Sequence, residues 1–297
     1  MKLEEERGPQ DDARPVLPDA AVLSAFAELD AETDPASLLT AEERHQLDTM
    51  GYLCLGQLLS EGQVDEMSRR LDAQLVAEGD GAGTEVHTEE GAQRMSNLNN
   101  KPELNHDGLF DIPLTHPRLL AAMRHVLGEK IALSSLNFRQ ALPGSGHQSF
   151  HTDWGPNPDA LNDPPEFSVC NSLWMLDDFT ELNGSTRVLP GTHLTGKTAD
   201  QLMDDPAATH PEQVQCFGKR GTVTVFNSHV CHGGTLNRSD STRKALHGYY
   251  TRRHLSQQLP QQRYIQPWNY RRMQEGEATG RLAIAILDVQ EPQQARI

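Results

Sequence analysis

Up to residue 128 the hydrophobic positions recur at helical spacing, and from residue 131 onward they fall in short runs, so the pattern predicts helices first and strands afterwards. Thr40-Ala-Glu-Glu43 can form a reciprocal cap for a helix that Gly51 ends, and Tyr52–Leu55 follows as a short strand. Ser60-Glu-Gly-Gln63 repeats the capping logic, with Val64, Met67, Leu71 and Leu75 on one face up to Gly79. A third helix is predicted from Pro117 to Gly128, burying Leu119, Leu120, Met123, Val126 and Leu127. Segments rich in Val, Leu, Phe, Thr and Trp then occupy 131–141, 147–154, 167–176, 185–189, 213–217, 221–226 and 244–252, with Gly, Pro and Asn between them. That succession predicts a mainly β core, a sandwich or jelly roll, with flanking α-helices.

The ends read differently. Residues 1–40 mix Pro, Ala, Asp and Glu and are expected to form an acidic, partly disordered arm with at most a short helix around Ala20–Leu29. The Gly-rich acidic stretch 79–92 reads as a mobile loop. A single folded unit is expected over 41–297, made of a helical part at 41–130, the β core at 131–255 and an extension at 256–297.

Charge narrows the partners. The formal charge of -16 lies entirely in residues 1–90, which hold 22 acidic against 6 basic side chains, whereas residues 91–297 hold 20 of each. With no basic stripe to neutralise phosphates, nucleic-acid binding is disfavoured. No apolar run reaches membrane-spanning length, and Met1-Lys-Leu-Glu-Glu-Glu-Arg lacks the basic and apolar regions of a signal peptide, so a soluble, cytoplasmic protein is expected. Cys54, Cys170, Cys216 and Cys231 are scattered without a Cys-x-x-Cys pair and read as reduced thiols.

Candidate chemistry centres on His151-Thr-Asp153, since residues two apart on a strand project from one face and can share a metal ion. His87-Thr88-Glu89 offers the same donor pattern but sits in the Gly-rich loop, where no strand would align it. A third donor is available in Val225-Phe-Asn-Ser-His-Val-Cys-His-Gly-Gly234, where both His229 and His232 qualify. Two histidines and one carboxylate on one side of a metal leave the opposite positions open, the arrangement of non-haem Fe(II) oxygenases. His147, His193, His229, His247 and His254 read as structural or pocket residues rather than ligands. Trp154, Trp174 and Phe226 are candidates for a pocket wall or for the core, and Asn97, Asn99, Asn100, Arg139 and Gln140 for substrate contacts.

Three motifs in order carry a resemblance: Gly146-His-Gln-Ser-Phe-His151-Thr-Asp153-Trp, Asn183-Gly-Ser-Thr-Arg-Val-Leu-Pro-Gly-Thr-His193, and His232-Gly-Gly-Thr-Leu-Asn237-Arg-Ser-Asp-Ser-Thr-Arg243. Together, over about Ala41–Arg253, they resemble the phytanoyl-CoA dioxygenase family of Fe(II)- and 2-oxoglutarate-dependent oxygenases. The resemblance implies a double-stranded β-helix with metal ligands His151, Asp153 and His232, the last being the histidine followed by Gly and, five residues on, by Asn237. It implies that Arg243 grips the far carboxylate of 2-oxoglutarate, with Thr186 and Gln148 near the same cosubstrate. A planar guanidinium suits that task because it makes two parallel charge-assisted bonds. The implied reaction consumes O2 and 2-oxoglutarate, releases succinate and CO2, and oxidises an unactivated C–H bond. Related halogenases lack the carboxylate, so Asp153 points to hydroxylation, desaturation or ring formation. No Lys/Arg cluster announces a CoA phosphate site, which favours a small metabolite or natural-product intermediate as substrate. The competing reading is a cupin-like metal-binding protein or a zinc-dependent hydrolase or isomerase on the same donors. Arg243 separates the two, because it has no evident purpose without 2-oxoglutarate.

Overall fold

The computed structural model describes residues 16–34, 38–82 and 94–292, so the first 15 residues of the acidic arm, most of the Gly-rich loop and the rival His87-Thr88-Glu89 lie outside the described residues. The predicted caps form: Thr40 and Glu43 satisfy each other's backbone at the start of the Ala41–Met50 helix, and Ser60 and Gln63 do so for the Glu61–Glu78 helix. Gly51 ends the first of these at φ 79°, and a Cβ there would stand 2.6 Å from the His193 ring, so both backbone and packing require glycine. The Pro117–Leu127 helix buries Leu119, Leu120, Ala122, Met123 and Leu127, with Val126 half-buried at its margin.

Among the described residues, nine strands form two antiparallel sheets. The larger runs β1 (Tyr52–Gln57), β7 (Thr222–Asn227), β4 (Val169–Met175), β9 (Arg243–Arg252), β3 (Ile131–Ala141), β2 (Arg94–Met95); the smaller runs β6 (Val214–Gln215), β5 (Thr186–Leu189), β8 (Cys231–Gly234). Non-consecutive neighbours at all but the β3–β2 and β5–β6 pairs give the jelly roll that the strand pattern called for. The two faces of the large sheet have separate tasks. Outward, Leu133, Leu136, Phe138, Trp174, Val223, Val225, Leu246 and Tyr250 join the helices in the main core. Inward, Leu173, Met175, Phe226 and Ala245 meet Val188 of the small sheet and Val230, just before β8, in a second apolar cluster. A register shift between Leu133 and Ser135 in β3 explains why Leu133 and Leu136 both reach the outer face.

Two departures from the expected elements follow from tertiary contacts. Segment 147–154 is not a regular strand: it contributes one bridge, His151 opposite His232. Gln148 N–H donates to Gly234 and His151 N–H to His232, three steps on one side against two on the other, and Phe150 N–H turns away to Pro206, so the ladder cannot continue. At the N-terminal end, the helix runs Asp19–Glu32, longer than the short one expected around Ala20–Leu29. It buries Val22, Ala25 and Phe26, and burial of Val22 and Phe26 contributes about 1.5–3 kcal/mol each. Its partner is the C-terminal helix Glu277–Leu287. Arg253 clasps the two ends by pairing with Asp288 at 2.8 Å and with Asp19, while Asp288 accepts the backbone N–H groups of Val16 and Leu17.

Candidate metal centre

His232 sits on β8, and backbone bonds of 2.9 Å in both directions tie it to His151. That approach is close. A Cβ on Gly233 would stand 2.8 Å from the Gln148 carbonyl, and one on Gly234 would meet the Gly146 carbonyl, so the Gly-Gly pair is what lets the His151 segment lie against β8. Arg187 adds a second hold: its guanidinium donates to the carbonyls of Gln148 and Ala208 at 2.9 Å each and lies 4.0 Å over the Phe150 ring.

The two imidazoles are oriented alike. Nδ1 of His151 bonds the Ser149 carbonyl and Nδ1 of His232 the Val230 carbonyl, both at 2.9 Å. With Nδ1–H donating, each Nε2 keeps its lone pair. Both Nε2 atoms turn to Asp153, 3.8 Å from His151 to Oδ1 and 3.4 Å from His232 to Oδ2, and one ligand atom from each of the three lies within 4.8 Å of the others. Phe226 backs the His232 ring at 4.6 Å between centroids. Burial, joined by the neighbouring His232, lowers the His151 pKa. Burial would lower His232 as well, but the Asp153 carboxylate outweighs it and raises the value; reciprocally, burial would raise Asp153, and His232 holds it well below the usual carboxylate range. Two neutral nitrogen donors and one oxygen donor at this spacing fit a first-row divalent metal with positions left open.

The other residues singled out in the sequence divide cleanly. Arg243 opens β9 on the inner face, buried, with its guanidinium 4.4 Å over Phe179 and donating to the Gly184 carbonyl; burial lowers its pKa to about 10. Thr186 shares the inner face with Val188. Gln148 lies beside Gly234, where its side-chain oxygen would be 3.5 Å from a Cβ. His229 is turned away, accepting from Ser168 N–H at 3.1 Å, and His193 bonds the Asp48 carbonyl. Trp174 belongs to the outer core, its indole N–H held by Ser172, so it is no pocket wall. Asn97, Asn99 and Asn100 are not cleft residues either: they form a buried amide network with Gln261 and Asn269 that fastens the C-terminal segment. Asn171 and Tyr249 were not among the candidates, yet Asn171 donates to the Asp153 carboxylate and the Tyr249 hydroxyl to its carbonyl. The signal for Asn171 was an amide inside a strand buried at every position.

A jelly roll that gathers two imidazoles and a carboxylate from separate segments has the build of a non-haem metal oxygenase. The chain belongs to the phytanoyl-CoA dioxygenase (PhyH) family, whose model matches residues 47–245, and that is a family of oxidoreductases. It is 24% identical over 201 residues to the dioxygenase trt7 of Aspergillus terreus, covering 66% of this chain and 68% of that one. It is 30% identical over 159 residues to the dioxygenase FrzG of Cladobotryum sp, covering 48% of this chain and so only about half, 50%, of that relative. In fold it matches EctD from S. alaskensis with bound Fe at a TM-score of 0.58 and 19% identity, over 74% of this chain and 78% of that one.

Proposed function

We propose that this protein is an Fe(II)- and 2-oxoglutarate-dependent dioxygenase that oxidises an unactivated C–H bond of a small metabolite or natural-product intermediate, releasing succinate and CO2. The observation that carries this reading is the convergence of His151, Asp153 and His232, with both free imidazole nitrogens aimed at the carboxylate. The dioxygenase names of the relatives support it, as do the EctD structures, one solved with Fe and another with 2-oxoglutarate and 5-hydroxyectoine.

His151, Asp153 and His232 are the residues that would hold Fe(II), which with O2 supplies oxidising power that no side chain has. Arg243 would anchor the far carboxylate of the cosubstrate. Its support is chemical: a guanidinium buried to this degree needs an anion, and a desolvated charge-assisted pair is strong and directional. Thr186 on the adjoining inner face and Gln148 beside Gly234 are the further cosubstrate contacts in this reading. The apolar cluster of Leu173, Met175, Val188 and Phe226 would keep bulk water from the cosubstrate end of the barrel. Asp153 supplies a carboxylate where halide would otherwise bind, which favours hydroxylation or a related C–H oxidation. Among the described residues no helix is long and apolar enough to cross a membrane. The proposed location is the cytoplasm, a reading supported by four cysteines that are all free thiols.

The test is 2-oxoglutarate turnover by anaerobically purified, Fe(II)-loaded protein exposed to O2, followed as succinate release. Turnover that disappears in His232→Ala is expected. Arg243→Met should chiefly raise the 2-oxoglutarate Kd, measured by calorimetry on the Co(II)-substituted protein. A wild-type protein that neither binds nor turns over 2-oxoglutarate would remove the dioxygenase reading and leave the zinc one.

A further inference from the structure

Asp153 is not held by strand geometry, because it lies on a bend beyond the single bridge at His151. Three contacts from other parts of the chain hold it instead. Its N–H donates to the Ser228 carbonyl at 3.0 Å, its carbonyl accepts from the Tyr249 hydroxyl at 3.3 Å, and its Oδ2 accepts from the Asn171 amide. Asn171 on β4 and Tyr249 on β9 are directly opposed in register, so both side chains leave the large sheet at one rung of its inner face and reach the two ends of the same residue.

The placement of Asn171 is costly unless it serves something. It is 6% exposed in a strand whose other members are Val, Cys, Ser, Leu, Trp and Met. A buried amide costs free energy unless its hydrogen bonds are made, and leucine, already present two positions on at Leu173, would pack there without that cost. What the amide adds is one N–H donor on the Asp153 carboxylate. That oxygen, Oδ2, also faces Nε2 of His232 at 3.4 Å, while Oδ1 faces Nε2 of His151 at 3.8 Å.

We propose that Asn171, seconded by Tyr249, is a positioning residue that fixes the rotation of the Asp153 carboxylate, so that this residue offers the metal one oxygen in a set direction. The proposal rests on the metal-site reading above. An amide donor on Oδ2 occupies one of its lone pairs and stops the carboxylate turning to clamp a cation through both oxygens, which would fill a position the reaction needs open. Outer partners of metal ligands of this kind change metal affinity by about 10- to 100-fold when removed.

The experiment is a Co(II) titration of the full-length chain, reading both Kd and the visible absorption of the bound ion, for wild type, Asn171→Leu and Tyr249→Phe. Asn171→Leu keeps the side-chain size and removes the donor; its Kd should weaken by about 10- to 100-fold and its absorption band should shift, since the coordination mode changes. Tyr249→Phe, which removes a hydroxyl alone, should weaken binding at the lower end of that range. A merely structural role for Asn171 would lower Tm and leave the Co(II) spectrum and Kd as in wild type, and that result overturns the proposal. Should Asn171→Leu fail to fold, an unaltered Kd and spectrum in Tyr249→Phe overturns it equally. Wild-type protein that binds no Co(II) would sink the metal-site reading itself, a different result from equal binding by wild type and variants.

Discussion

His232 and His151 face each other across one backbone bridge, but the segments that carry them are built by different rules. β8 is an edge strand of the small sheet, paired with β5 over four residues, and His232 takes its direction from that ladder. Segment 146–153 has no ladder of its own. It is seated by the Gly233-Gly234 surface, by Arg187 on the Gln148 carbonyl, and by Ser228, Asn171 and Tyr249 around Asp153. One metal donor is thus placed by local sheet geometry and the other two by long-range contacts. The difference teaches that a donor pattern two residues apart does not need a strand to converge, only a backbone that neighbouring elements over-determine.

The largest effect that can test this contrast separates His232 on β8 from His229 in the turn before it. His232→Ala should reduce Co(II) affinity to the level of non-specific binding, while His229→Ala should retain specific binding, because its ring is committed to Ser168. Calorimetric titration of both variants decides it, and equal loss in the two would erase the assignment of His232.

A second expectation concerns acid. Burial lowers the pKa of both His193 and His229 to about 4, from an ordinary value of 6.5. Each is neutral when folded and takes a proton more readily when unfolded, so its contribution to stability is complete above pH 6.5 and is lost as the pH falls toward about 4. Each would cost at most about 3 kcal/mol across that window. Urea midpoints should therefore fall over this range, and less so in His193→Leu; a variant whose midpoints track those of wild type would contradict the buried, neutral state of His193.

The smallest effect is expected at Arg187. Arg187→Met keeps the contact with Phe150 but strands the carbonyls of Gln148 and Ala208, which should destabilise the fold by about 1–2 kcal/mol. Because the Gln148 carbonyl belongs to the irregular segment, Co(II) affinity should fall as well, and a stability loss with unchanged affinity would show that this segment does not depend on Arg187.

Much of this was legible beforehand. Caps at Thr40 and Ser60, the helix before Gly128, and β3, β4, β5, β7 and β9 follow from side-chain period and turn chemistry, which act over a few residues. Others were not. Val22 and Phe26 belong to a 14-residue helix because a helix more than 240 residues later covers them, and nothing near residue 20 records that partner. Asn97, Asn99 and Asn100 looked like cleft residues because a run of amides is polar, yet Gln261 and Asn269 satisfy them in the interior.

The amino-acid order alone determined the fold class, the donor types and their spacing, since alternation, capping and ligand chemistry are properties of short stretches. Which atoms meet was decided only by folding. His229 and His232 offer the same imidazole three residues apart, and Asn171 and Tyr249 give no local sign of reaching Asp153. Their roles depend on the register of β4, β8 and β9 and on how closely 146–149 approaches two glycines, quantities fixed by contacts between residues far apart in the chain.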